Sequence, residues 1–86
     1  MEIMKVSRQS NANLVAGALA NLIREKKEVA MVVIGAGALN QAMKAVAIAR
    51  GFIVPTGFDL VVVPSFKELI VEEKERTALN LLIKLV

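Results

Sequence analysis

The 86-residue sequence contains no His, Cys, Trp or Tyr. His is the commonest general base, Cys supplies the thiol nucleophile, and both are main ligands of zinc. Their absence removes the side chains on which most metal sites and most acid–base active sites depend. We therefore expect a protein that is not an enzyme and that holds no metal and no other cofactor.

The sequence also has no long hydrophobic run. Its longest stretch of apolar residues and glycine is 29–39, well short of the roughly 18 to 20 apolar residues that a membrane-spanning helix needs. The first residues, MEIMKVSRQS, lack the basic segment followed by an apolar stretch that marks a secretory signal. No disulfide can form without cysteine. The expected location is the cytoplasm, without a membrane partner.

Apolar residues are nevertheless abundant. They make up 56% of the chain, and the mean hydropathy is +0.59. A chain of this length is expected to form one domain, spanning 1–86, and such a small domain leaves much of its surface exposed. The sequence holds more apolar material than a monomer of this size buries easily. We expect a homo-oligomer, either a dimer or a tetramer.

The charge is mild overall and uneven along the chain. The net charge is +3; residues 1–57 contain seven Lys or Arg against three acids, whereas residues 58–86 contain four against five. An anionic partner is therefore expected to bind the first two thirds of the chain.

The first part of the sequence predicts a strand, a helix and a second strand. Residues 2–7 have the pattern of a short strand, and residues 28–35 are apolar on both faces, as in a central strand. Between them, a helix over 12–27 follows a polar loop in which Ser10 or Asn11 can cap the first turn. The apolar stripe of this helix is expected to consist of Leu14, Val15, Ala18, Leu19, Leu22 and Ile23.

A second helix is predicted from about Ala38 to Arg50, with Gly51 as its left-handed C-cap. Its buried stripe is expected to consist of Leu39, Ala42, Met43, Val46 and Ala49. The opposite face combines three polar side chains with one apolar one, namely Asn40, Gln41, Lys44 and Ile48. An apolar residue among polar ones indicates a contact surface. Ile48, with Ala45 at the edge of that face, is the predicted oligomer interface.

The last third of the sequence predicts two further strands. Residues 58–64 form the third strand, ended by Pro64, and a charged connection with an exposed EEKER tip leads to a fourth strand over 77–86. The fourth strand places Leu79, Leu81, Ile83 and Leu85 on one face. The order β-α-β-α-β-β predicts an α/β two-layer sandwich with two helices on one face of a four-stranded mixed sheet.

Two segments contain groups that suit an anion. Gly35-Ala36-Gly37, at a strand-to-helix junction, can expose backbone N–H groups and a positive helix end, although a plain turn is an equally good interpretation. The loop 7–11 contains hydroxyls, amides and the guanidinium of Arg8. Helix capping explains Ser10 and Asn11 but leaves Arg8 unexplained, whereas Lys5 and Lys44 alone are typical solubilising charges.

Several runs of the sequence resemble one bacterial family, stage V sporulation protein S. The similar runs are EIMKVS, SNANLVAGALANLIRE, IGAGALNQAMKAVAIARGF and PTGFDLVVVPSF, and together they cover nearly the whole chain. The long central run is the most specific of them. That family resembles in turn the Alba-like fold of chromatin and RNA-binding proteins, which has the same β-α-β-α-β-β order.

The resemblance implies a dimeric nucleic-acid-binding module that regulates sporulation-stage development. The lysines of Alba proteins at the first loop correspond to Ser7 and Arg8, and their Gly-Arg-Gly-like junction corresponds to Gly35, Ala36 and Gly37. Their basic hairpin arm corresponds to 67–76, which here contains four glutamates. Because tight nonspecific duplex binding depends on many cation–phosphate contacts, these departures favour a weaker or more selective ligand, either DNA or RNA.

Parallel neighbouring strands bring their following loops to the same edge of a sheet, so both anion-suited segments are expected to form one polar surface. The predicted nucleic-acid-binding residues are Lys5, Ser7, Arg8, Ser10, Asn11, Gly35, Gly37, Asn40, Gln41 and Lys44. The main alternative is a protein-interaction or assembly module that acts by oligomerisation. A sensor of a small anion is a third hypothesis, and an enzyme is the last.

Overall fold

The computed structural model describes residues 1–86, the whole of the sequence. The elements are β1 (Glu2–Lys5), α1 (Ala12–Lys26), β2 (Glu28–Val33), α2 (Ala36–Ile53), a short 3₁₀ helix (Val54–Thr56), β3 (Leu60–Val71) and β4 (Lys74–Leu85). This order confirms the predicted β-α-β-α-β-β succession.

The four strands form one mixed sheet in the order β1-β2-β4-β3. β1 is parallel to β2, and the other two pairs are antiparallel. A parallel pair requires a crossover connection, which α1 supplies. Met31 of β2 pairs with Met4 on one side and Leu81 on the other, and all three pack into the core on the helix side of the sheet. The predicted two-layer sandwich with both helices on one face is confirmed.

The core lies between the helices and this face of the sheet. Its largest fully buried side chains include Leu19 and Ile23 of α1, Met31 of β2, and Leu81 and Ile83 of β4. The predicted inward face of β4 is therefore confirmed. The helices pack closely on each other through small buried side chains, Ala16, Ala20, Ala42, Ala45 and Ala49.

The prediction that Ala45 lies in an oligomer interface is wrong. Its side chain is 0% exposed and belongs to the core, so it cannot contact a second copy. Ile48, the other predicted interface residue, is half-buried and packs against the core from its edge. Conversely, Leu14 is 75% exposed, and Ala18 and Met43 are exposed as well. The alanine contact between the helices turns each buried stripe away from the position that the apolar pattern predicts.

The end of α2 also differs from the prediction. The helix begins at Ala36 and continues through Gly51, which has no positive φ, to Ile53. Pro55 then lies in the 3₁₀ turn, and Gly57 supplies the left-handed residue with φ of 93°. A glycine does provide the left-handed residue after this helix, as predicted, but it is Gly57 and not Gly51.

The C-terminal hairpin is longer than predicted. β3 does not end at Pro64 but continues to Val71, because it is an edge strand, where the missing N–H of a proline is tolerated. Residues 65–71 are therefore strand, and the predicted charged connection is wrong. Glu72 and Glu73 make the turn with φ of 52° and 64°, the geometry of a two-residue hairpin loop. The EEKER segment does contain the exposed tip.

Candidate functional site

The loop between β1 and α1 lies against the start of α2, as expected for two parallel neighbouring strands. The Gln41 side-chain amide donates a hydrogen bond of 2.7 Å to the backbone carbonyl of Ser10. Gly37 touches the same loop, since a Cβ atom built on it would lie 2.8 Å from Cβ of Arg8. The absence of a side chain at Gly37 therefore permits Arg8 to occupy its present position.

Hydrogen bonds within the loop give some of the predicted site residues a structural role. The Ser7 N–H donates to Ser10 Oγ at 2.9 Å, and the Gln9 N–H donates to Ser7 Oγ at 3.2 Å. The Asn11 Oδ1 accepts from the N–H groups of Asn13 and Leu14 at 2.9 and 3.1 Å. Asn11 is thus the N-cap of α1, which decides between the two candidates, while Ser10 closes the preceding turn.

The start of α2 is built differently. Gly35 is its N-cap, with φ of 88° and ψ of 160°, and no side chain caps the first turn. This backbone region is essentially restricted to glycine. Gly35, Ala36 and Gly37 are all exposed. The first-turn N–H groups of a helix have no intrahelical partner, and the helix dipole adds partial positive charge, so this end can accept an anion.

A cavity of about 570 Å³ opens beside this helix end. Lys5 at the end of β1, Ser7 and Arg8 in the loop, and Gly35 and Gly37 at the start of α2 all line it. Aliphatic side chains complete the walls; among them are Val32, Ile34, Leu69 and Val71. The structure therefore brings together half of the residues predicted for binding around one concave surface.

The sequence does not predict Leu69 and Val71 as site residues, because its pattern indicates a charged connection over 65–76. They alternate with Ile70 on β3, and period-two alternation was the available signal. Leu69 pairs with Arg76, and Val71 pairs with Lys74, within the hairpin. The hairpin therefore contributes an apolar wall to the cavity.

The other predicted binding residues lie outside the cavity lining. Gln41 joins the helix to the loop, and the Lys44 ammonium donates to Gln41 Oε1 at 3.3 Å. Asn40 is exposed on α2. These side chains extend the polar surface along α2, whereas Ser10 and Asn11 shape the loop.

The cavity is positively charged. No acidic residue lines it, and neither Lys5 nor Arg8 forms an ion pair. The shortest ion pair in the protein, Arg50 to Asp59 at 2.6 Å, lies at the opposite end of α2. There, hydrogen bonds from Arg50 and from the Leu60 N–H hold the pKa of Asp59 below its ordinary value. The two cavity cations thus remain available to an external anion.

The sequence matches one known protein family over nearly its whole length. The family model of Stage V sporulation protein S (SpoVS) matches residues 2–86. The chain belongs to this family. Among solved structures, Alba from Thermoplasma volcanium is similar to this SpoVS-family chain with a TM-score of 0.65 and 14% sequence identity, over 98% of each chain. At this identity the likeness shows a shared fold, which confirms the Alba-like architecture.

Membership of the SpoVS family indicates a small regulatory protein. No helix in the chain is both long and apolar enough to span a bilayer. The chain also contains no group of three or more side chains that could hold a metal ion.

Proposed function

We propose that this SpoVS-family chain is a non-catalytic nucleic-acid-binding regulator. It contacts the phosphate backbone through the β1–α1 loop and the N-terminus of α2. The proposal rests on one observation: Lys5, Arg8 and the uncapped first turn of α2 border the same cavity, which no acidic side chain lines.

Each part of this surface has a distinct role. Lys5 and Arg8 neutralise phosphates, and the guanidinium of Arg8 can also bind two phosphate oxygens at once. The exposed N–H groups at Gly35 and Gly37 and the Ser7 hydroxyl supply hydrogen bonds. Asn40 and Lys44 extend the contact along α2. Ser10, Asn11 and Gln41 hold the loop and the helix in position.

The hairpin tip limits the class of ligand. From 67 to 76 it contains four glutamates against three basic residues, so it adds no net positive charge. Nonspecific binding of duplex DNA requires many cation–phosphate contacts. The cationic surface therefore suits a short contact with a few phosphates of DNA or RNA.

The test is a fluorescence-anisotropy titration against duplex DNA, single-stranded DNA and structured RNA at two salt concentrations. For a bound ligand, the double variant Lys5→Ala/Arg8→Ala should bind more weakly. The slope of log affinity against log salt should become shallower by about 0.7 to 0.9 for each phosphate that the variant no longer neutralises.

The matched control is Arg24→Ala/Lys26→Ala, which removes the same charge from the last turn of α1. It should leave both the affinity and the salt slope close to those of the unmodified protein. Equal losses in the two double variants, or no binding by any of the three nucleic acids at low salt, would reject the proposed surface.

A second candidate function, self-assembly, is favoured by an exposed apolar strip on β3. Phe66 is 80% exposed and Ile70 is 78% exposed. Phe66 pairs with Leu79, so it lies on the helix side of the sheet, beyond the part that the helices cover. Uncovered apolar side chains of this size are typical of protein–protein contacts. A dimer or tetramer that covers them would act by oligomerisation.

Sedimentation velocity of Phe66→Ser tests the assembly hypothesis. The variant should sediment as a smaller species than the unmodified protein at the same concentration. Leu14→Ser is the matched control, since Leu14 is 75% exposed but lies on α1. An unchanged sedimentation coefficient for Phe66→Ser would count against assembly through the hairpin.

A further inference from the structure

We propose that the cavity beside α2 accepts one unpaired base, so that the ligand of this surface is a single-stranded nucleic acid. The inference rests on the proposed function and specifies its ligand class.

The walls are more apolar than a phosphate site needs. Val32 and Ile34 contribute from the end of β2 and the residue after it, and Leu69 and Val71 contribute from the hairpin. Pockets with predominantly apolar walls and a few placed polar groups are typical of sites for small organic groups, and their volumes run from about 300 to 1,000 Å³. The cavity of about 570 Å³ lies in this range. A nucleobase, with apolar faces and polar edges, matches such walls.

The polar groups at the cavity complement a nucleotide rather than an uncharged ligand. Lys5, Arg8 and Ser7 line it together with the aliphatic residues, and none of the lining residues is acidic. Each base in a strand is joined through its sugar to a phosphate. A base held against the aliphatic walls would therefore bring its phosphate close to the two cations. The guanidinium of Arg8 can pair with the phosphate or stack on an exposed base.

The hairpin favours a single strand over a duplex. Leu69 and Val71 lie on the same ribbon as Glu72 and Glu73, which form its exposed turn. A duplex seated at the cavity would gain no net attraction for its second strand from the hairpin, because residues 67–76 contain four glutamates against three basic residues, two of which, Lys74 and Arg76, lie beside Val71 and Leu69. It would also have to unpair and unstack a base before that base could enter, whereas a single strand has an accessible base already.

The deciding ligand is an abasic oligonucleotide with the same length and phosphates as a normal single strand. By anisotropy, the normal strand should bind at least about five times more tightly than the abasic one, because its base is buried against the aliphatic walls. It should also bind more tightly than a duplex of the same sequence.

The cavity itself is tested with Leu69→Asn, which replaces an aliphatic wall by an amide. This variant should bind the normal and abasic strands with nearly equal affinity while it keeps the salt slope of the unmodified protein. Val61→Asn is the matched control. It lies on the same face of the same strand, eight residues from Leu69, does not line the cavity, and should preserve the preference for the normal strand.

Failure of this inference and failure of the proposed function give different results. Equal, salt-sensitive binding of normal and abasic strands would overturn the base cavity and leave the phosphate surface intact. Tighter binding of the duplex than of the single strand would also overturn it. No salt-sensitive binding of any nucleic acid would overturn both proposals.

Discussion

The two helices of this protein begin in different ways, although both follow parallel neighbouring strands at one edge of the sheet. The N-cap of α1 is Asn11, whose side chain accepts two backbone hydrogen bonds from the first turn. The N-cap of α2 is Gly35, which has no side chain, and the first residues of this helix are exposed beside the cavity. The first helix end thus satisfies two of its free N–H groups internally, while no side chain caps those of the second, which remain available for a ligand.

The two helix starts that follow the C-terminal ends of β1 and β2 thus combine stability with binding. The closed start of α1 fixes the loop, and the loop in turn places Arg8 against Gly37 at the open start of α2. The two glycines of this junction therefore have different roles. Gly35 adopts a backbone conformation that other residues rarely adopt, and Gly37 leaves space for Arg8. Substitutions at the two helix ends should consequently change stability and binding in different proportions.

The largest effect on stability is expected at the open end, for Gly35→Ala. An alanine at φ of 88° and ψ of 160° is strained, at a cost of about 1 to 3 kcal/mol in the free energy of unfolding. Urea unfolding followed by circular dichroism measures the loss. In Gly51→Ala, the matched control within the helix, a new Cβ meets nothing within 4 Å, so this variant should gain about 0.5 to 1 kcal/mol. Similar stability changes in the two variants would contradict the strain at Gly35.

The next largest effect is expected at the closed end, for Asn11→Ala. This variant loses the side-chain cap of α1, which typically costs about 1 kcal/mol in the free energy of unfolding. Its affinity for nucleic acid, measured well below the melting temperature, should fall less than that of Lys5→Ala/Arg8→Ala, because Asn11 fixes the loop that places Arg8 but does not line the cavity. Asn13→Ala removes an exposed amide from the same turn without removing the cap, and should be nearly neutral. A loss of binding free energy larger than the loss of unfolding free energy would indicate that Asn11 contacts the nucleic acid directly.

A smaller stability change with a larger binding change is expected for Gly37→Ala. The new Cβ would lie 2.8 Å from Cβ of Arg8, so the loop must shift. The gain in helix propensity offsets part of the strain, and the net change in unfolding free energy should stay within about 1 kcal/mol. Binding of a nucleic acid should weaken, as measured by anisotropy. Gly17→Ala, in α1, meets nothing within 4 Å and should leave the affinity unchanged.

The sequence predicts the closed helix end better than the open one. The cap of α1 follows from a short polar side chain before an apolar stripe, which is a local pattern, and Asn11 was one of its two candidates. The sequence indicates a junction at 35–37 but predicts the start of α2 at about Ala38, two residues after the observed start at Ala36. Only the contact with Arg8 shows why Gly37 lies within the first turn.

The parts that were predicted wrongly depend on contacts between distant segments. Pro64 ends a strand on local grounds, yet it lies within β3 because β3 is the edge strand, and edge position is set by the whole sheet. Glu72 and Glu73 adopt positive φ without the Asn or Gly that marks such turns. The sequence pattern therefore predicts the exposed tip but not the extension of both strands toward it, and the apolar wall formed by Leu69 and Val71 is missed, although the resemblance to Alba-like proteins implies an arm there.

The smallest effect is expected at the other end of α2, where Arg50 and Asp59 form an ion pair. The pKa of Asp59 is lowered, chiefly by the hydrogen bond from Arg50, so the folded state favours its charged form. The stabilisation is present above the ordinary carboxyl pKa, near pH 4, and is lost as the pH falls through the lowered value. Because both side chains are about half exposed, solvent screens the pair and the loss should be small.

Thermal melts of the unmodified protein and of Asp59→Asn at pH 7 and pH 3 measure this contribution. The melting temperature of Asp59→Asn should fall slightly less on acidification, since the variant has no carboxyl to protonate at this position. The binding surface lies at the opposite end of the helix, so Asp59→Asn should keep the full affinity for nucleic acid at pH 7. An equal acid response in both proteins would show that the pair contributes nothing measurable. A loss of affinity in Asp59→Asn would instead show that the two ends of α2 do not act separately, because the C-terminal end would then influence binding at the open N-terminal one.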